Sequence, residues 1–425
     1  LPIEWQISTL ANGMRVVTTP VPTAQSVSVN AFVGIGSRGE APRTNGLSHY
    51  MEHMLFKGTD RRPDAIIIAE AIEGAGGVLN AYTSKELTCY WNQVPFDKLG
   101  QAMDVLADMY RNSKLEQVEI DRERTVVQQE IRRAFDQPGA WASELLSRAT
   151  FGDQPIGWPI AGTIETVEAM QRDDFVQHVA TYYVPSNTVL SVAGNTIHDE
   201  VMALAEEHFG GIEDRPTPEP PPARDNLSNE PVIVEKREIA QCNIGIAAYA
   251  AGRKDPDRYA IQVMNTILGR GMSSRLFKEV REKRGLAYSV GSGVSRFNDT
   301  GVLSISAGVT LEHLEEATSV IRDELFKLTA EAPGDEELTK AKDFSTGNFR
   351  LGLESTMALA QRAGESLLML GEIEPIEDAV AGIASVTPAD VQRVAKRIFK
   401  PGQFAMSVVG PGGDADALRA ILAAG

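Results

Sequence analysis

The sequence predicts an α+β protein of two homologous halves, each an antiparallel-rich β-sheet covered by helices on one face. Three observations predict it. First, "DFVQHVATYYVPSNTVLSVAGN" (174–195) aligns without gaps with "DVQRVAKRIFKPGQFAMSVVGP" (390–411), at an offset of 216 residues. Each copy reads as a helix, a proline-containing turn and an apolar strand ending in Gly194 or Gly410. Each is followed by another helix, and the placement at the end of both halves points to duplication. Second, "EDRPTPEPPPARDNLSNEP" (213–231) is dense in proline and charge and carries no apolar periodicity. It reads as an extended linker. Third, short strand-like runs are grouped with long runs at helical spacing. The expected division is 1–212, a linker at 213–230, and 231–425, with the linker as a hinge between clam-shell halves.

The elements follow in order. "SVSVNAFVGIGS" (26–37) alternates in its first part, as a half-buried strand does. "GGVLNAYTSKELTCYWNQV" (76–94) reads as two strands with a polar bend near Ser84–Glu86. Helical spacing runs through 97–113 and 116–135. The second half carries strands at 231–236, 242–250, 287–296 and 301–309, then helices near 311–330, 335–354 and 356–371.

Composition narrows the function class. The chain has 425 residues, 43% of them hydrophobic, and a formal charge of −17 with no long basic run. That argues against a nucleic-acid surface. No apolar run reaches the roughly 18–20 residues that span a bilayer. The first residues show no signal peptide, so the expected location is the cytoplasm. It becomes the mitochondrial matrix if the source is eukaryotic and a presequence has been removed. Cys89 and Cys242 match no metal or redox motif and read as buried thiols in a reducing compartment.

"LSHYMEHMLFKGT" (47–59) carries the chemistry. His49 and His53 stand four apart, one helical turn, so both imidazoles can face one ion. Asn45 or Ser48 is the expected cap of that helix. Glu52, beside the pair, is placed to hold and deprotonate a water rather than to ligate. A catalytic zinc site usually has three protein ligands and an open position, so a third ligand is required. The helical run 116–135 offers Glu116, Glu119, Glu123 and Glu130. The order H-x-x-E-H inverts the commoner zinc motif and is the inverzincin signature.

On these residues the chain resembles the pitrilysin and insulin-degrading enzyme family, in the branch of mitochondrial processing peptidase and its bacterial relatives. In that family a glutamate ligand follows H-x-x-E-H after 76 residues, and here that position is Glu130. The resemblance implies His49, His53 and Glu130 as ligands of one Zn2+ per chain. It implies Glu52 as the general base and Glu123 as outer support. "LNAYTS" (79–84) is similar to the family's edge strand beside the metal, which implies Asn80 and Ala81 in substrate binding by strand addition. "REKRGLAYSV" (281–290) is similar to the segment that reaches substrate and oxyanion, which implies Arg281 and Tyr288. Two acidic residues 10 and 14 positions after the ligand glutamate read an upstream arginine in mitochondrial processing peptidase. Here those positions are Ala140 and Glu144, so only Glu144 is kept for substrate binding. The family implies a zinc endopeptidase that takes unfolded peptides into an enclosed chamber. It further implies a homodimer, or a heterodimer with a paralogue. Some of its members are non-catalytic subunits of respiratory or peptidase complexes, and those generally have broken ligand motifs.

Overall fold

The computed structural model describes residues 3–424. The chain forms two compact units, one of residues 1–131, 158–221 and 351–374, the other of 132–157, 222–350 and 375–425.

The first unit holds six strands: β1 (Gln6–Thr9), β2 (Arg15–Pro20), β3 (Ser26–Val33), β4 (Val78–Thr83), β5 (Thr88–Pro95) and β6 (Thr188–Gly194). Their order is β1-β2-β6-β3-β5-β4, with β2 and β6 parallel and every other pair antiparallel. The second unit holds β7 (Val232–Lys236), β8 (Cys242–Ala250), β9 (Ala287–Arg296), β10 (Gly301–Val309) and β11 (Ala405–Gly410), in the order β7-β11-β8-β10-β9. Again one pair, β7 with β11, is parallel. Without β1 the two sheets have the same connectivity. The duplication is therefore visible in topology, and β6 and β11 are the strands in the repeated segment. The α+β class with two homologous halves is what the chain adopts.

Two expectations need correction. The sheets are covered on both faces, and the units do not follow the sequence halves. On one face of the first sheet, Val27, Val29, Ala31 and Val33 join a core with Leu47, Tyr50, Met51 and Met54 of the helix Leu47–Met54. On the other face, Phe32, Val17, Cys89 and Val189 pack with Ala363 and Leu367 of the helix Thr356–Leu370, which comes from the second half of the sequence. The exchange is reciprocal: the helix Pro138–Phe151, from the first half, packs Leu146 and Ala149 with Ala247, Val302 and Ala405 of the second sheet. Ser191 Oγ on β6 donates to the Ala360 carbonyl at 2.7 Å. Ser407 Oγ, 216 residues later on β11, donates to the Ala142 carbonyl at 2.6 Å. The same anchor is thus built at the same place in each repeat.

This double cover explains why β3 is buried through nearly its whole length rather than half-buried. Its polar Ser28 is satisfied across the interface, with Oγ 3.1 Å from the Thr356 hydroxyl. Segment 213–231 contains almost no regular structure, as a linker should, and β7 begins at Val232. The linker is tied at Pro221, whose carbonyl accepts from the buried Arg38 guanidinium at 2.9 Å; Arg38 also pairs with buried Glu86 at 2.8 Å. Cys89 and Cys242 are buried free thiols. Among the described residues, no helix is long and apolar enough to cross a membrane.

Candidate metal centre

The site starts from a two-turn helix. Leu47, Tyr50, Met51 and Met54 face the core, and Tyr50 donates its hydroxyl to the Ile120 carbonyl. That leaves His49, Glu52 and His53 on the side not filled by the core. The helix is entered through Gly46 at φ 98°, a left-handed backbone that favours glycine. Neither Asn45 nor Ser48 caps it. Glu40 does so from outside the local sequence: its carboxylate accepts from the Gly46 N–H at 2.7 Å, the Ser48 N–H at 2.6 Å and Asn45 Nδ2 at 3.1 Å. An anion at a helix N-terminus is favoured by the free N–H groups and the helix dipole. Burial pushes the Glu40 carboxyl up, and the N–H groups of Ser48 and Gly46 oppose that.

The long helix Gln117–Asp136 brings two carboxylates to the histidines. Glu123 Oε1 lies 2.8 Å from His53 Nδ1, and its Oε2 lies 2.5 Å from Lys57 Nζ. With Nδ1–H donating to Glu123, Nε2 of His53 is the free ligand atom. Glu130 Oε2 stands 3.4 Å from that Nε2 and 3.6 Å from Nε2 of His49. One donor atom each from His49, His53 and Glu130 lies within 4.8 Å of the others. The Glu130 separations are long for charge-assisted hydrogen bonds of about 2.7–2.9 Å. They match the edge of a tetrahedron whose centre is about 2.0–2.1 Å from each corner, about 3.4 Å. The three donor atoms therefore lie close enough together to be held by one zinc ion.

Electrostatics agree. His49 is pushed down to about 4 by burial and by the charge of His53, so its imidazole is neutral at pH 7. For His53, burial is outweighed by the carboxylates of Glu123 and Glu130, which push it up to about 9. The same anionic field favours a cation between the rings. Glu52 is raised by burial and is held at Oε2 by the Thr83 hydroxyl, 2.7 Å away at the end of β4.

Profiles of known families match along most of the chain. Residues 15–164 match the family described as insulinase (peptidase family M16), and residues 169–344 match its "peptidase M16 inactive domain". An uncharacterized zinc protease of Streptomyces coelicolor is 39% identical over 423 residues, covering 97% of this chain and 91% of the relative. The chain belongs to peptidase family M16. Another relative, the uncharacterized zinc protease YmxG of Bacillus subtilis, is 36% identical over 406 residues and covers 96% of this M16 chain and 98% of its own. A protease from Helicobacter pylori shares the fold with a TM-score of 0.89 at 23% identity, over 97% of this chain and 100% of that one. A chain of complex III2 from Candida albicans shares it with a TM-score of 0.86 at 22% identity, over 98% and 99%.

The remaining sequence-predicted residues of this M16 protein lie as follows. Asn80 and Ala81 are on β4, which pairs with β5 on one side and forms the edge of the sheet. Ala81 packs toward the core, and Asn80 Oδ1 accepts from the Ala81 N–H at 2.8 Å. Arg281 sits in a π-helical turn, Phe277–Glu282, with its guanidinium 5.1 Å from the Tyr288 ring centre and 4.9 Å from that of Phe277. Neighbouring Lys283 and Arg284 are instead taken up by Glu279, at 2.5 and 2.6 Å. Tyr288 is 78% exposed. Glu144 is half-buried on the helix Pro138–Phe151. Arg281, Tyr288 and Glu144 all belong to the second unit, whereas His49, Glu52, His53, Glu123 and Glu130 belong to the first. Sequence reading missed Glu40, Lys57 and Thr83. Only Lys57, four residues after His53, carries a local spacing signal.

Proposed function

We propose that this chain is a zinc-dependent endopeptidase that cuts unfolded peptides or short extended segments within an enclosed chamber. The observation that carries the reading is the convergence of one donor atom each from His49, His53 and Glu130 within 4.8 Å of one another, with Glu52 on the helix of the two histidines. Zinc held by these three, one per chain, would supply Lewis acidity toward a peptide carbonyl and toward water. Glu52 acts as the base that takes a proton from water and returns it to the leaving amine nitrogen. Glu123 orients His53 from behind. The free edge of β4 offers main-chain donors and acceptors to an extended peptide, which then adds as one more strand past Asn80 and Ala81. Arg281 and Tyr288 contact substrate and stabilise the developing oxyanion, and Glu144 contacts substrate upstream of the cut. The working assembly is a homodimer, or a heterodimer with a paralogue. An intact ligand set favours catalysis over a purely scaffolding role.

The test is metal analysis combined with cleavage of a mixed unstructured peptide library by the purified chain. About one zinc per chain with chelator-sensitive cleavage is expected. Glu52→Gln should keep zinc and abolish cleavage, whereas His49→Ala and Glu130→Gln should lose zinc. A folded, zinc-replete preparation that holds no zinc, or an active Glu52→Gln enzyme, overturns the proposal.

A further inference from the structure

Glu52 has two carboxylate oxygens, and a base that can turn freely about its last torsion presents neither of them reliably. One oxygen is fixed. Thr83 Oγ1 lies 2.7 Å from Glu52 Oε2. Its other neighbours are the Ser48 carbonyl and the Thr88 hydroxyl, both at 3.5 Å. Thr88 gives its own proton to the Ile35 carbonyl at 2.9 Å. The Thr83 proton therefore has one good acceptor, Glu52, and the bond is charge-assisted and half-buried. Thr83 is also the last residue of β4, the edge strand, and is held in register opposite Thr88 of β5.

We infer that Thr83 is the positioning residue for the base, holding Oε2 of Glu52 so that Oε1 is the atom offered to water. Because it stands on the strand whose free edge receives the peptide, it ties the geometry of the base to that of the docked substrate. This inference rests on the peptidase reading above. It assigns no contact between Thr83 and substrate or metal, since the side chain acts only through Glu52.

The experiment compares wild type, Thr83→Val and Thr83→Ser. Valine keeps shape and removes the donor; serine keeps the donor. Thr83→Val should lower kcat about 10–100-fold, a share of what a positioned base contributes. KM should stay within about twofold, because the main chain of β4 is unchanged. Thr83→Ser should recover most of the loss. Zinc affinity, measured by titrating the metal-free chain against a chromophoric chelator, should be unchanged in both. A second readout needs no activity: in the metal-free chain, Thr83→Val should lower Tm, but not when Glu52 is already Leu. Equal Tm losses in both backgrounds, or a Thr83→Val enzyme with wild-type kcat, would overturn the role of Thr83. Failure of the peptidase reading looks different, with neither cleavage nor zinc in the wild type, and the Tm cycle still tests the hydrogen bond.

Discussion

Gly364 gives the sharpest test of the exchanged helices. It lies in the middle of the helix Thr356–Leu370, where it faces Phe32 of β3. A Cβ added there would meet Cδ2 of Phe32 at 2.5 Å, Cε2 closer still, and Cβ of Ser191 at 2.8 Å. Carbon atoms in good contact are about 3.5–4.0 Å apart, so ring or helix must move by about 1 Å. Phe32 is fully buried and has nowhere to swing. Overpacking of this kind costs about 1–3 kcal/mol, against which alanine recovers about 1 kcal/mol of helix propensity. In units of roughly 200 residues, 1 kcal/mol moves Tm by about 2–4 °C. The net cost is about 0–2 kcal/mol, so Gly364→Ala should lower Tm by up to about 8 °C. Gly347, exposed in the helix Asp335–Leu351 with open space where a Cβ would go, is the control. Gly347→Ala should raise Tm by up to about 4 °C from propensity alone. Calorimetry on both variants decides it. A Gly364→Ala chain that melts above wild type, as Gly347→Ala should, would mean that this helix does not lie on Phe32.

Three further outcomes are expected. Glu40→Ala should cost about 2 kcal/mol or more, since it strips an N-terminal cap and orphans buried donors, and should weaken zinc binding with it; chelator competition and Tm together check this. Glu123→Gln should leave the chain folded and weaken zinc about 10–100-fold, because the support behind His53 loses its charge; an unchanged zinc affinity would refute that role. His178 is buried, with no partner at Nε2, and burial pushes it down to about 3 from 6.5. The unfolded chain binds a proton below pH 6.5 that the folded chain refuses, so this contribution is full above pH 6.5. It is lost toward pH 3 by up to about 1.4 kcal/mol per pH unit. Tm of His178→Leu should fall less steeply with acid than that of wild type, and parallel curves would refute the assignment.

What was legible in the sequence was what is local. The strands expected at 287–296 and 301–309 are β9 and β10 to the residue, because β-rich runs there end abruptly at turn residues. His49, Glu52 and His53 share a helix, so their spacing speaks for itself. Glu130 stood among four glutamates by periodicity, and only the family spacing distinguished it. Glu40 lay outside the reach of capping rules, six residues before the helix N-cap. Thr83 looked like any strand residue, because its partner comes from another element. The exchanged helices were the largest omission. Ser191 and Ser407 carry no local mark of the helices they receive, Gly364 carries none of the sheet it lies on, and β3 alternates as though one face were wet. Burial of that face depends on residues more than 300 positions away.

The exchange also sets a schedule for synthesis. The first sheet is complete once β6 has left the ribosome, but Val17, Phe32, Cys89 and Val189 then form a bare apolar face. Its cover, Thr356–Leu370, follows roughly 175 residues later, about 10–35 s at 5–20 residues per second. During that interval the nascent chain presents a sticky surface that only its own unmade C-terminal part can mask. A chain truncated after the linker would carry that surface permanently. It should enter inclusion bodies or chaperone complexes with its zinc motif intact.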